Sequence, residues 1–292
     1  MLKENTLKEY EISYRLGHSF RRKVIGYIEG RHLEDGGYCF FRMPPSSGMD
    51  TYFAVKSLSI LRVKPDRPEA IASFFLNDVK EGALGGIPGI FVTIEVLSEL
   101  GRITDDLRNY AQQQIMLRLN KAGGFGALKD IYIEVSSELE ETYRAVRVLR
   151  IIGAAFDERR IVDFISSKLN LDGGYGAEGR STLASTFYAT EINRLLGVGA
   201  DKLNGTKGYL RNKENDWREN FDKGLVNYIE NLFWLVEGQA NLGEKSNIPD
   251  RITRFVMGCQ SPNGGFGRAV YSIPTLEYTF YALSILREIG AL

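Results

Sequence analysis

The chain has 292 residues, 43% hydrophobic and 25% charged, the make-up of an ordinary folded protein, and its longest apolar runs fall short of the roughly 18 residues a bilayer crossing needs. Lys plus Arg and Asp plus Glu both total 37, so a formal net charge of +0 gives no global field to gather nucleic acid, and no nucleic-acid partner is expected. Residues 1–16 lack the basic start, apolar core and small-residue cleavage site of a secretory leader, and two distant cysteines, Cys39 and Cys259, make neither a disulfide framework nor a CxxC metal site, so a cytoplasmic location is expected.

In chain order, the first helix is expected near the only histidines, His18 and His32, and Asp35-Gly36-Gly37-Tyr38 ends it. A second, more apolar helix follows, carrying Tyr52 and Phe53. The same Gly-Gly-aromatic signal returns weakly as Gly85-Gly86-Ile87 and clearly as Gly123-Gly124-Phe125, ahead of Glu138-Leu139-Glu140-Glu141-Thr142 and an apolar helix ending at Gly153. It recurs as Asp172-Gly173-Gly174-Tyr175 ahead of a helix ending at Gly197, as a degenerate Lys207-Gly208-Tyr209, and as Asn263-Gly264-Gly265-Phe266 ahead of a helix ending at Gly290. The period averages about 46 residues, the spacing of a helix pair in helical repeats. Between the fourth and sixth copies, Gly205 to Asp222 is the most irregular stretch and reads as an insertion: a solvated loop, a lid or a docking loop.

Each repeat pairs an amphipathic helix, such as Arg251 to Gln260, with one that is apolar nearly all round, such as Tyr281 to Gly290. The apolar helices must be covered on both sides and so form an inner ring, while the amphipathic ones form an outer ring. Neither terminal copy is more polar than the middle ones, as the caps of an open solenoid would be, so the six hairpins are expected to close into an all-α (α/α)6 toroid, a single domain spanning residues 1–292.

The unit of amphipathic helix, Cys259-Gln260, Gly264-Gly265-Phe266, loop, and Thr279-x-Tyr281-Ala282-Leu283-x-x-Leu286 resembles the repeat shared by protein prenyltransferase β subunits and by squalene and class II terpene cyclases. The resemblance is strongest at Cys259 to Gly290 and weakest in copies two and five, and it spans nearly the whole chain. It implies a toroid whose central cavity is lined by aromatic side chains and accepts an isoprenoid. The residues give the same picture from below, because Tyr52, Tyr143, Phe187, Phe233, Trp234, Tyr278, Phe280 and Tyr281, with Phe53 and Tyr188, cluster near the starts of inner helices. Aromatic faces suit a polyisoprene tail and would stabilise a carbocation by roughly 0.5–2 kcal/mol each; filling a core is the alternative use of the same residues.

The resemblance divides when its chemistry is followed residue by residue. Where the prenyltransferase branch carries its zinc ligands this chain has Ser185, Phe187 and Tyr278, a set that cannot bind zinc, so no metal site is expected and Mg²⁺ is left open as the remaining cofactor. The family's diphosphate-holding Gly-Arg is matched by Gly179-Arg180 and Gly267-Arg268, and its accompanying tyrosine by Tyr188. The cyclase branch protonates its substrate with the middle acid of Asp-x-Asp-Asp-Thr; Glu138, Glu140 and Glu141 stand there with side chains one methylene longer, Glu140 as the donor and its neighbours tuning it. Acidic residues also favour the first turn of any helix, and Asp50, Glu230 and Glu277 share that position. The expected ligand is a prenyl group or prenyl diphosphate, handled by a transferase-like or cyclase-like enzyme. Two alternatives stand beside it: a non-catalytic toroid binding a partner protein or lipid, and a β-like subunit completed by an α-subunit-like partner.

Overall fold

The computed structural model describes residues 17–82, 84–126 and 138–292. Twelve α-helices follow one another there as outer and inner partners: α1 (His18–Glu29) and α2 (Gly48–Ile60), α3 (Pro68–Lys80) and α4 (Gly86–Glu99), α5 (Asp105–Met116) and α6 (Glu138–Ile152), α7 (Glu158–Ser166) and α8 (Leu183–Leu195), α9 (Asn204–Asp222) and α10 (Ile229–Asn241), α11 (Pro249–Gly258) and α12 (Leu276–Glu288). Side chains of Ser47, Thr182 and Thr275 accept the first free backbone N–H groups of α2, α8 and α12, which starts these inner helices at fixed residues. Prolines at the starts of α3 and α11 cost no hydrogen bond there.

The even-numbered helices pack in sequence around a ring, α2 on α4, α4 on α6, α6 on α8, α8 on α10, α10 on α12, and α12 back on α2. This closes the toroid, and the packing reason is visible in burial: α4 buries nine consecutive or near-consecutive residues from Ile87 to Leu97, whereas α7 buries only Ile161, Phe164 and Ile165 on one stripe.

The Gly-Gly-aromatic loops turn out to be joints between repeats. The first glycine of each clear copy, Gly36, Gly123, Gly173 and Gly264, has φ between 86° and 102°, and a Cβ on it would lie 2.2–2.5 Å from a backbone oxygen of the next outer helix or its neighbour, at Ala70, Arg160, Gly205 and Lys23 respectively. The Lys23 contact joins the sixth loop to α1 and so ties the end of the array to its beginning. The aromatic that follows is fully or almost fully buried, and its N–H donates to a threonine in the first turn of its own inner helix: Tyr38 to Thr51, Phe125 to Thr142, Tyr175 to Thr186 and Phe266 to Thr279, at 2.9–3.1 Å.

Two expectations fail at the weak copies. Lys207-Gly208-Tyr209 lies inside α9, and Gly85-Gly86 begins an inner helix, so neither forms the joint. The stretch from Gly205 to Asp222 is no lid or loop: it is the outer helix of the fifth repeat, burying Thr206, Tyr209, Leu210, Glu214 and Trp217. Its polar composition concealed a single narrow apolar stripe, which is all an outer helix needs.

Candidate functional site

Because an outer helix returns the chain between successive inner helices, all six inner helices run the same way. Their first turns gather at one end of the ring, the mouth, and their last turns at the other. Residues equally far along each inner helix therefore meet at one level.

At the fifth or sixth residue every inner helix carries an aromatic: Tyr52, Phe91, Tyr143, Phe187, Phe233 and Phe280. Their rings touch in a closed circuit with centroid separations of 5.3, 6.0, 6.2, 5.3 and 5.9 Å in that order and 6.1 Å back to Tyr52. All the angles are tilted or edge-on, the arrangements that ring quadrupoles favour. Of the aromatics read from the sequence, Tyr52, Tyr143, Phe187, Phe233 and Phe280 belong to this belt, while Phe53, Tyr188, Trp234, Tyr278 and Tyr281 do not. Tyr281 stacks on Phe233 at 4.3 Å and donates its hydroxyl to Glu277 at 2.9 Å, so it lies between belt and mouth. Tyr278 lies beside Tyr281, and Trp234 packs half-buried against the core. Phe91 was missed because its repeat matches the motif poorly; its register in α4 would have found it.

The mouth is acidic. Glu140 accepts from Tyr188 at 2.8 Å and from Arg144 at 2.6 Å, both on the same oxygen, and Glu141 pairs with Arg144 at 3.1 Å. Glu138 faces outward, to Lys168 at 2.8 Å and Asn120 at 3.1 Å. Glu277 has its pKa raised by burial, with Glu230, Asp50 and Glu140 adding repulsion against the relief that Tyr281 gives. Burial likewise raises Asp50, which accepts from the N–H of Phe40 at 3.0 Å. Arg268 is half exposed, pairs with Glu230 at 2.6 Å and covers the Tyr228 ring at 4.1 Å, and Arg180 is exposed on the connection before α8. Thus Arg180, Arg268 and Tyr188 each meet a different environment. Every large apolar side chain exposed among the described residues also lies at this end, on the outer-to-inner connections or in the first turn of an inner helix, including Phe41, Met43, Leu171, Val226, Tyr271 and Ile273.

On the far side of the belt a cavity of about 580 Å³ opens between the last turns of the inner helices, floored by Tyr52, Tyr143, Phe187, Phe233 and Phe280. Its walls carry Lys56, Arg62, Arg147, Arg194 and Arg287 against Glu191, Glu237 and Glu288. Behind them Glu95, 3% exposed, pairs with Lys56 at 3.2 Å and with Arg147; burial raises its pKa, but the two cations more than offset this and the net shift is downward. Glu237 is pushed up to about 7 by burial, with Arg287 only partly opposing. None of these wall residues was singled out from the sequence, since charged residues spaced along an apolar helix carry no local sign of meeting across a ring.

Zinc does not suit the three aligned positions: Ser185, Phe187 and Tyr278 offer a hydroxyl in the first turn of α8, a belt ring and a phenol, with no thiolate, imidazole or carboxylate among them. Among the described residues no group of three or more His, Cys, Asp or Glu is placed to hold a metal ion, and no helix is long and apolar enough to cross a membrane.

The chain matches the model of the prenyltransferase alpha-alpha toroid domain over residues 5–84, 86–231 and 204–291. No protein of curated function is similar to it in sequence at a significant level. Among solved structures it is similar to the Candida albicans protein geranylgeranyltransferase-I complexed with GGPP, with a TM-score of 0.69 and 16% identity over 92% of this chain and 90% of that one. It is also similar to a type II terpene cyclase from Scytonema in complex with geranylgeranyl dihydroxybenzoate, with a TM-score of 0.58 and 11% identity over 94% of this chain and 97% of that one.

Proposed function

Since the chain belongs to the prenyltransferase alpha-alpha toroid family, we propose that it binds an isoprenoid, as a prenyl group or prenyl diphosphate, against the aromatic belt at the centre of its inner ring. The observation that carries this reading is the belt itself: one ring from each of the six inner helices, closed on itself and flooring an open cavity. A purely structural core would fill this level as readily with aliphatic side chains. Six aromatic faces instead present a surface on which branched alkene units pack and a developing carbocation is stabilised, by roughly 0.5–2 kcal/mol per ring. The geranylgeranyl compounds named with the two similar structures agree with such a ligand.

Chemistry without zinc leaves transfer to an acceptor other than a metal-bound thiolate, or cyclisation started by a carboxylic acid. For the second, Glu140 is the acid in the sequence position of the donor, and Glu138 and Glu141 flank it. To donate a proton Glu140 must give up its ion pair with Arg144. Incubation with geranylgeranyl diphosphate, with and without Mg²⁺, followed by mass spectrometry of products and by Trp234 and Trp217 fluorescence, tests the reading. Binding in the micromolar range or tighter is expected; no binding and no turnover for prenyl diphosphates of several chain lengths would sink it. A cyclised product that disappears in Glu140→Gln would support the acid role, and unchanged turnover there would end it. The apolar side chains crowded at the mouth favour one other reading, a non-catalytic toroid whose mouth end docks a partner protein or lipid, and this is what remains if no isoprenoid binds.

A further inference from the structure

The cavity beyond the belt lies at the opposite end of the ring from Arg180, Arg268 and Tyr188, and its walls have an organisation of their own. Three arginines reach it from three inner helices, each fixed by protein acceptors through the same two nitrogens. Arg147 gives Nε and Nη2 to Glu95. Arg194 gives Nε to Asn241 at 3.0 Å and Nη2 to Glu191 at 2.8 Å. Arg287 gives Nε to Glu288 at 2.8 Å and Nη2 to Glu237 at 3.4 Å. One edge of each planar fork is thereby spent on holding the side chain still. The remaining Nη1 groups have no partner among the described residues, although all three arginines line the open volume. A guanidinium whose rotamer is already fixed loses little entropy when it binds an anion.

The charges of this end are even: Lys56, Arg62, Arg147, Arg194 and Arg287 on the lining stand against Glu191, Glu237 and Glu288 there and against Glu95 and Glu99, which hold Lys56 and Arg147. Burial pushes Glu237 up to about 7, which leaves the balance cationic below that pH. The mouth gathers Asp50, Glu140, Glu230 and Glu277, of which Glu140 and Glu230 are paired with Arg144 and Arg268. The negative ends of the inner-helix dipoles work against an anion beside Arg194 and Arg287, which lie in last turns, while Arg147 stands more than one turn in from its helix end; the site therefore depends on the held guanidinium forks rather than on the helix dipoles.

We propose that this cavity is an anion-binding site in which Arg147, Arg194 and Arg287 hold the phosphate or carboxylate head of an amphiphilic ligand whose apolar body lies on the aromatic floor. For the identity of that apolar body the inference rests on the isoprenoid reading, and it sets the ligand's direction: head at the last turns of the inner helices, tail toward the mouth. Titration calorimetry with geranylgeranyl diphosphate, geranylgeraniol and inorganic pyrophosphate separates head from tail. The double variant Arg194→Gln/Arg287→Gln is expected to weaken the diphosphate ligand and pyrophosphate at least tenfold while geranylgeraniol binds as before, and Arg194→Lys/Arg287→Lys is expected to recover part of the loss. Near-UV circular dichroism on each variant guards against misfolding. If wild type binds the diphosphate and the loss falls on Arg180→Gln or Arg268→Gln instead, the head sits at the mouth and the proposal is overturned. If geranylgeranyl diphosphate fails to bind but pyrophosphate binds and is lost in the double variant, the isoprenoid reading falls and the anion site stands; if neither binds, both fall.

Discussion

The two ends of the toroid are built from the same six helices and behave as different materials. At the mouth the connections are long, glycine-jointed and tipped with exposed apolar side chains, and the carboxylates crowd together with burial raising Asp50 and Glu277. At the other end the connections are short turns closed by left-handed glycines such as Gly101, Gly153 and Gly243, and acids alternate with cations in clamped pairs. Helix direction accounts for part of this, because acids suit the first turns and cations the last. It does not account for Glu95 or Glu237, acids in the far half of their helices, so the far end has been given charge networks beyond what helix ends call for.

The largest expected effect lies in that network. Glu95→Gln keeps the side chain's shape but removes the charge that holds Arg147 and that shares Lys56 with Glu99, and should cost about 3 kcal/mol, measured by urea unfolding, since it takes its carboxylate from the partly buried Arg147. A loss under about 0.5 kcal/mol, the scale of an exposed pair, would mean the network is solvated and the two ends are less different than the geometry makes them.

At the mouth the corresponding test is Gly173→Ala. Its Cβ would enter a backbone at φ 86° and lie 2.2 Å from the Gly205 carbonyl oxygen, so a loss of about 2–3 kcal/mol is expected in the same assay. Gly179→Ala, at φ 73° but with nothing within 4 Å, should cost about 1 kcal/mol. Equal losses at the two sites would show that strain alone matters and that the loop is no inter-repeat joint.

A smaller effect than those of Glu95 and Gly173 is pH-dependent. Glu237 faces Arg287 and Glu288 from α12 and Glu191 and Arg194 from α8, and its carboxyl titrates at about 7 against an ordinary 4.5. Between those values the folded protein holds a proton that the unfolded chain has lost, so this contribution is full below 4.5 and is lost as pH rises through 7. Glu237→Gln should therefore raise the melting temperature at pH 8, by a gain on the order of 1–2 kcal/mol, with no comparable gain at pH 4.5. A variant less stable than wild type at pH 8 would show that the Arg287 pair outweighs burial.

Much of the architecture was legible in the residues. The four clear glycine pairs, the all-apolar inner helices and the unaltered terminal copies were enough for a closed ring of six hairpins, because period and polarity are local properties of the chain. The fifth repeat was misread at Gly205 to Asp222, where one narrow stripe of Tyr209, Leu210 and Trp217 anchors a helix otherwise made of charged and polar residues. The site was legible only in part. Tyr52, Tyr143, Phe187, Phe233 and Phe280 stood out as aromatics beside motif positions, whereas Phe91 needed the register of α4, and Trp234, named beside Phe233, sits one residue, about 100° of helix, away from the belt position.

By itself, then, the sequence determined the repeat, the ring and an aromatic centre, since each is written in spacing along one helix pair. Which aromatics share a level, which arginine meets which glutamate, and at which end the open volume lies were decided by the tertiary structure. The contacts responsible join residues about one repeat apart, such as Glu95 and Arg147, or close the ring from Phe280 to Tyr52, and these distances exist only once six helices have been brought to a common register.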